Sequence, residues 1–235
     1  MEKITPTEFY SRIQDKEDSK VTLDEDLYFE ESSVKKLIDL FRDTEPTDMI
    51  LVGELDGNGY TIHNISSQLF KEVSSNGVIK NLTVRTNNEL KKSTLCEINT
   101  GRIENVTVEA PLLLESSGGG LVSQNKGTIE DCMFKSESVA ESEFADHIEH
   151  EFGGISAVNM GKIRNCTVQG NFKDFDHIGG ITGKNYRVIN SCRFSNGRIE
   201  SQAVGGIVSE NSGELKDCTI SESVLRGVTV GGICG

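Results

Sequence analysis

Three of the four histidines in this chain lie close to acidic residues within one stretch of the sequence. Imidazole and carboxylate groups on neighbouring strands can bind a divalent metal or act as an acid–base pair. Histidines and acidic residues of a loop are more often simply solvated. We treat these residues as a candidate binding surface and predict neither a metal nor a cofactor. The candidate binding residues are His147, His150, Glu151, Asp174, Asp176 and His177.

The spacing of Gly-Gly pairs predicts which of these residues are neighbours. Aligning the pairs of successive repeats places Glu151 beside His177, and His150 beside Asp176. The same alignment shows an insertion around residues 141–151, because one interval between repeats is 34 residues long and the next is 26. We expect this loop to be the first surface to meet a partner.

A second acidic set could supply the paired carboxylates of a polysaccharide lyase or hydrolase, and it consists of Asp174, Asp176 and Glu200. The chain has no Trp and only 6% aromatic residues with which to stack on sugar rings. It also has no His-Glu-x-x-His run and no phosphate-binding Gly-x-x-x-x-Gly-Lys sequence. We therefore predict that the chain is not an enzyme, and a carbohydrate-active lyase or hydrolase remains an alternative.

A repeated phrase of the form Gly-x-Ile-x-Asn-Cys-x-Val must position these side chains. Its copies start at intervals of 24, 26, 34, 26 and 26 residues. A near-constant period of this length is typical of a solenoid. The copies begin at Gly77, Gly101, Gly127, Gly161, Arg187 and Gly213.

Apolar and polar residues alternate within each copy, which indicates short strands rather than helices. The Gly-Gly pairs, each followed by Leu or Ile, permit bends or close approach of the backbone. Short strands stacked in register form a right-handed parallel β-helix. The sequence thus predicts an all-β solenoid with about seven coils over residues 47–235 and a small helical N-terminal cap over residues 1–46.

Two sets of residues recur at fixed places in the repeat and should stack into ladders. The cysteines are expected to be small buried hydrophobes rather than crosslinks or metal ligands. The asparagines should bond one another and the turn backbone. Phe134, Phe194 and Tyr186 are expected in the core or in a ladder. The ladder residues are Cys132, Cys166, Cys192 and Cys218, with Asn125, Asn159, Asn185 and Asn211; a further polar line contains Asn81, Asn105, Asp131, Asn165, Ser191 and Asp217.

The N-terminal region lacks the repeat and carries helix signals. Residues 5–8 have the spacing of a capping box, and the apolar residues that follow would give a short helix one buried side. A second helix is predicted from Ser32 or Ser33 to Phe41, and strands are predicted at 21–23 and 27–29. Such a cap would cover the open end of the β-helix.

The repeats resemble the GLUG motif family, which occurs in bacterial and archaeal repeat proteins and in a segment of certain immunoglobulin-A peptidases of Gram-positive bacteria. Residues 180–183 and 232–235 fit the Gly-Leu-apolar-Gly core best, and residues 52–62 resemble the coil that often precedes such repeats. The resemblance covers roughly residues 48–235. It implies a β-helical fold and specifies no activity.

Charge and hydropathy narrow the range of partners. A net charge of −13 argues against direct binding to nucleic acid. It also raises an alternative function, an acidic intracellular decoy that imitates DNA and inhibits a nucleic-acid-binding protein. No apolar run has the length of a membrane span, and no signal peptide precedes the repeats. The sequence as written predicts a cytoplasmic protein, or a cell-surface one if it is a fragment of a longer exported protein.

The chain ends within a repeat at residues 231–235, without a recognisable cap. We expect either that the natural protein continues or that the last coil makes an end-to-end contact. Together these observations favour a non-catalytic, adhesin-like module for binding or spacing, which presents a repeat face to a protein or glycan partner.

Overall fold

The structure is a computed structural model, and it describes residues 5–14, 20–29, 48–142 and 149–235. The described chain forms a parallel β-solenoid of about seven turns with a short helix at its N-terminal end. The predicted parallel β-helix is therefore confirmed. Within these residues, no helix has the length and apolarity needed to cross a bilayer.

The helix α1 (Pro6–Gln14) begins at the predicted capping box. The backbone N–H of Thr5 donates to Glu8 Oε2 at 3.0 Å, and the N–H of Glu8 donates to Thr5 Oγ1 at 3.3 Å. Phe9 and Tyr10 are buried, and the Tyr10 hydroxyl donates to the carbonyl of Leu69. The second predicted helix, over residues 32–41, lies outside the described residues.

The solenoid consists of a larger and a smaller sheet, and every strand pairing is parallel. The smaller sheet contains β3 (Ile50–Leu51), β6 (Phe70–Val73), β8 (Cys96–Asn99), β12 (Val122–Asn125), β16 (Ser156–Asn159), β20 (Thr182–Asn185) and β23 (Val208–Asn211). The larger sheet contains β1 (Lys20–Thr22), β2 (Leu27–Tyr28), β4 (Glu54–Asp56), β5 (Thr61–His63), β7 (Val78–Arg85), β9 (Arg102–Glu109), β10 (Leu112–Leu114), β11 (Gly118–Gly119), β13 (Thr128–Glu130), β14 (Met133–Glu141), β15 (Glu151–Gly153), β17 (Lys162–Arg164), β18 (Thr167–Lys173), β19 (His177–Gly179), β21 (Val188–Asn190), β22 (Arg193–Gly205), β24 (Glu214–Lys216) and β25 (Thr219–Gly231).

The N-terminal strands continue the same sheet. In β1, Lys20 aligns with Glu54, and in β2, Leu27 aligns with Ile62. Both predicted strands of the N-terminal region therefore lie within one residue of their predicted bounds, and they add a rung to the solenoid.

Identical apolar positions of successive coils stack into columns that fill the core. The repeat isoleucine forms a fully buried column, and so does the position occupied by Phe134 and Phe194. This burial confirms the core prediction for both phenylalanines. The isoleucine column consists of Ile79, Ile103, Ile129, Ile163 and Ile189.

The Gly-Gly pairs allow close backbone approach rather than left-handed turns. A Cβ on Gly120 would lie 2.2 Å from the carbonyl oxygen of Gly154, and one on Gly154 would lie 2.5 Å from that of Gly180. Neither distance is compatible with a side chain, so glycine is required because the coils touch there.

The cysteine column carries free thiols. Cys132, Cys166 and Cys192 are buried, whereas Cys218 in the next coil is partly exposed. Burial raises the pKa of Cys166 well above that of an ordinary thiol, which keeps it protonated and unreactive.

The further polar line, which starts at Asn81, occupies a corner at which the backbone is left-handed. Asn81, Asn105, Asp131 and Asn165 all have φ between 50° and 56°, a conformation that Asn and Asp tolerate better than other residues. Asn105 Nδ2 donates to Asn81 Oδ1 at 2.9 Å, so the corner residues also bond between coils.

Candidate functional site

The polar cluster next to the 141–151 insertion is built on two paired strands. Strands β15 and β19 align Glu151 with His177, and Phe152 with Ile178. Because both phenylalanine and isoleucine are buried, the residues that precede them must turn toward the surface. We call this surface the His–acid cluster; it contains Glu141, Glu149, His150, Glu151, Asp176, His177, Lys184 and Glu210.

Glu151 is held by partners from two other coils. Its Oε2 accepts a hydrogen bond from Ser117 Oγ at 2.9 Å, and its backbone N–H donates to the same hydroxyl at 3.0 Å. Its Oε1 lies 2.5 Å from Lys184 Nζ. The hydrogen bond to Glu151 raises the pKa of Lys184, so this lysine stays charged at neutral pH.

His150 is nearly buried between carboxylates, with only 5% of its surface exposed. Its Nδ1 contacts Glu141 Oε1, and its backbone N–H donates to Asp176 Oδ2 at 3.1 Å. The other oxygen of Asp176 accepts a hydrogen bond from Gln202 Nε2 at 3.0 Å. These bonds tie the end of the insertion to the two coils that follow it.

His177 lies between two more exposed carboxylates. Its Nε2 is 3.7 Å from Glu149 Oε2, and its Nδ1 is 3.5 Å from Glu210 Oε1. Lys184 Nζ lies 3.7 Å from the same Glu210 oxygen. The cluster thus combines imidazoles, an ammonium group and carboxylates, and Glu151, His177, Lys184 and Glu210 lie on strands that pair with neighbouring coils.

The remaining predicted site residues have different surroundings. His147 lies outside the described residues. Asp174 Oδ2 pairs with Lys173 at 2.9 Å, and Glu200 contacts Arg198 and Arg226. Asp176 is engaged by His150 and Gln202, so the three carboxylates of the predicted lyase set each have other partners.

The cluster has no arrangement typical of a metal site in the described part of the chain. No group of three or more His, Cys, Asp or Glu side chains there is placed to hold a metal ion. Chemically, the cluster offers donors and acceptors in fixed positions.

The asparagine ladder runs along the ends of the strands of the smaller sheet. Asn125 Nδ2 donates to Asn159 Oδ1, and Asn159 Nδ2 donates to Asn185 Oδ1, each at 2.8 Å. Asn99 begins the ladder by donating to Asn125 at 2.9 Å, and Asn211 ends it. The described ladder thus includes one residue, Asn99, which the repeat alignment did not include.

Two further features were not found from the sequence. Ser117 and Lys184 reach Glu151 from other coils, and no local motif signals this contact. Tyr186 was expected in the core or in a ladder; it does not lie in the core, because it is at a corner and is 50% exposed. The residues one place after the ladder asparagine in two earlier copies, Lys126 and Met160, are exposed as well.

Comparisons with known proteins agree with this fold. No protein-family model matches the chain. An immunoglobulin A1 protease of Streptococcus pneumoniae is 29% identical over 115 residues, which is 47% of this chain and 5% of that relative. The chain therefore spans a small part of the relative's length.

A solved structure shows the same architecture along most of the chain. It is a crystal structure from Bacteroides ovatus, provisionally named an immunoglobulin A1 protease, with a TM-score of 0.56 and 15% identity. The match covers 89% of this chain and 76% of that one. The two likenesses confirm the resemblance to repeats associated with immunoglobulin-A peptidases, and the structural one shows the fold alone.

Proposed function

We propose that this chain is a non-catalytic β-helical binding or spacer module that presents a repeat face to a protein or glycan partner. The observation that carries the proposal is the in-register pairing of successive coils, which fixes outward side chains in columns. A surface fixed in this way loses little conformational entropy when a partner binds.

The His–acid cluster is the contact surface that we favour. Two of its carboxylates are oriented by hydrogen bonds to other coils, Glu151 by Ser117 and Asp176 by Gln202. Preorganised polar groups of both charges suit a partner that offers donors and acceptors, such as a folded protein surface.

The two alternative functions have less support. The carboxylates of the possible lyase or hydrolase set are engaged by neighbours, and no described feature favours the DNA-mimicking decoy.

We also propose that, within a longer exported protein, the module would be displayed at the cell surface.

Immunoglobulin A1 is the first protein to test as a partner, because one relative is an immunoglobulin A1 protease. The chain would be immobilised and exposed to immunoglobulin A1 and to arrays of glycans. D176N and H177Q would be compared with K92T, which changes an exposed residue that is not part of the His–acid cluster.

We expect binding of at least one partner to weaken in D176N and H177Q and to stay unchanged in K92T. Equal binding by all variants would mean that the His–acid cluster is not the contact surface. Cleavage of any bound partner would contradict the non-catalytic role.

A further inference from the structure

A groove on another face of the solenoid concentrates positive charge in an otherwise acidic protein. The groove has a volume of about 380 Å³ and crosses three successive coils. We call it the basic groove; it is lined by Lys126, Gly127, Thr128, Met160, Gly161, Lys162, Arg187 and Val188. The chain as a whole has a net charge of −13, so this concentration runs against its composition.

The cations of the basic groove have no acidic partners among the described residues. Lys126, Lys162 and Arg187 are exposed, and none of their charged groups forms an ion pair or a hydrogen bond with a described residue. Arg164, two residues along the same strand face as Lys162, is likewise exposed and unpaired there. These charged groups are free to meet a ligand.

Acidic residues near the groove are few or already paired. Glu130 lies beside Arg164 in the neighbouring coil, but its carboxylate is 2.6 Å from Arg102. Glu214 is exposed, lies one coil beyond Val188 in the same column, and forms no ion pair with a described residue, so three unpaired cations face this one free carboxylate. The groove therefore keeps its positive potential.

Arg187 departs from the repeat at the position where every other copy has glycine. At that corner a Cβ is costly, because one on Gly161 would lie 2.1 Å from the carbonyl oxygen of Gly127, and one on Gly213 would lie 2.2 Å from that of Arg187. A residue that breaks a local structural rule often has a functional reason.

One exposed apolar side chain, Met160, lines the groove, and Tyr186 occupies the matching place in the next coil. Met160 and Tyr186 directly follow the ladder residues Asn159 and Asn185, and they are 37% and 50% exposed. An aromatic ring beside cations can contact the C–H face of a sugar while the cations bind its acidic group.

The floor of the groove cannot receive a peptide as an added strand. The backbone N–H groups of Thr128, Lys162 and Val188 already donate to carbonyl oxygens of the preceding coil. A ligand must therefore be recognised by side chains, and its charges should repeat at about the 4.8 Å spacing of the coils. This spacing is close to the length of one sugar in an extended chain.

We propose that the basic groove binds a short carboxylate-bearing glycan, with Lys126, Lys162 and Arg187 pairing with its carboxylates and Tyr186 contacting a sugar face. The inference rests on the proposed binding function and names a ligand class and a second surface for it. A long polyanion is disfavoured, because the acidic remainder of the chain would repel it.

The test is calorimetric titration of the intact chain at low salt with three kinds of probe. Hexagalacturonate and sialyllactose are the acidic sugars, and their carboxylates belong to two different kinds of sugar residue. Maltohexaose is the neutral control. A Glu hexapeptide tests whether the groove prefers an acidic peptide to an acidic sugar. Two variants remove cations by restoring residues that the repeat itself uses: R187G, and K162T after Thr128 in the preceding coil. K92T removes an exposed charge elsewhere, and circular dichroism checks that each variant is folded.

We expect one of the acidic sugars to bind, and R187G and K162T each to weaken its affinity by about tenfold. K92T should change it by less than about twofold. Three results would overturn the proposal. K92T could lose as much affinity for the acidic sugar as R187G and K162T, maltohexaose could bind as tightly as the acidic sugar, or the peptide could bind more tightly than it. If another partner binds the chain while both acidic sugars fail, this inference is lost and the proposed function stands.

Discussion

At the scale of single residues, the stability of this solenoid depends on polar groups that satisfy one another between coils. Asn159 shows this most clearly, because it is fully buried and accepts from both Asn125 and the backbone N–H of Gly161. Its own amide donates to Asn185 and to the carbonyl of Val188. When one partner of a buried hydrogen bond is removed, the group left behind can bond neither to the protein nor to water. The folded state is therefore destabilised.

We therefore expect Asn159→Ala to lower the free energy of unfolding by roughly 2–4 kcal/mol, because it leaves buried donors and acceptors without partners. Asn211→Ala is the matched control, since Asn211 is exposed at the end of the ladder. Urea unfolding followed by circular dichroism measures both. Equal losses in the two variants would mean that the ladder does not act as a buried network.

A second residue-scale prediction concerns acid stability. Hydrogen bonds from Lys20 and then Lys80 lower the pKa of Glu54 from its ordinary value of 4.5. A carboxyl group whose pKa is lower in the folded state adds stability above its unfolded pKa, and this contribution is lost as the pH falls. We expect Glu54→Gln to reduce stability at neutral pH and to flatten its decline below about pH 5.

Unfolding measured from neutral to acid pH tests this expectation. Glu115→Gln is the control, because Glu115 forms a more exposed pair with Lys91, and exposed pairs contribute little. An unchanged pH profile in Glu54→Gln would refute the role given to this carboxylate.

At the scale of elements, the contact between glycine pairs sets how closely the coils stack. A Cβ on Gly154 would lie 2.3 Å from Val168 Cγ1 and 2.5 Å from the carbonyl oxygen of Gly180. Gly232 occupies the same place in the last coil, and a Cβ there would meet nothing within 4 Å. The sequence thus contains a matched pair of test sites.

We expect Gly154→Ala to lower the free energy of unfolding by about 2 kcal/mol or more, because the coils would have to separate. Gly232→Ala should change it by less than about 0.5 kcal/mol. Thermal and urea unfolding of the two variants would measure both changes in the free energy of unfolding. A tolerated alanine at residue 154 would show that the coils are less tightly stacked than described.

Much of the element scale could be predicted from the sequence, because repeated residues must occupy repeated places. The alignment of Glu151 with His177 follows from counting residues between Gly-Gly pairs, and the helix start follows from the capping box. Contacts across a corner, such as Glu151 with Lys184, could not be predicted because they depend on the shape of the coil. The exposure of Tyr186 was missed for the same reason.

At the scale of the whole molecule, the last coil exposes positions that are core positions in earlier coils. Val230 and Ile233 are 46% and 40% exposed, whereas Val204 and Ile207 one coil earlier are fully buried. Strand β25 also presents backbone groups along its outer edge, since its described pairing is with β22. Exposed edges of this kind favour association.

We propose that the coil at residues 219–235, when nothing covers it, makes an end-to-end contact, and we expect the 235-residue chain to self-associate as its concentration rises. Ile233→Lys should shift the equilibrium toward the monomer, because burying the charge would cost free energy. Val78→Lys, at a partly exposed place on a lateral strand, should not. Analytical ultracentrifugation measures the change, and a chain that stays monomeric at all concentrations would contradict the proposed contact.

The central claim is that this solenoid binds a partner without transforming it, and binding and turnover measured in one sample test it most directly. The chain would be titrated with immunoglobulin A1 and with the glycans selected on the arrays, while mass spectrometry follows each ligand. We predict saturable binding of at least one ligand that is recovered intact. A cleaved or eliminated product that disappears in Asp176→Asn would contradict the claim and assign the chain to the enzymes.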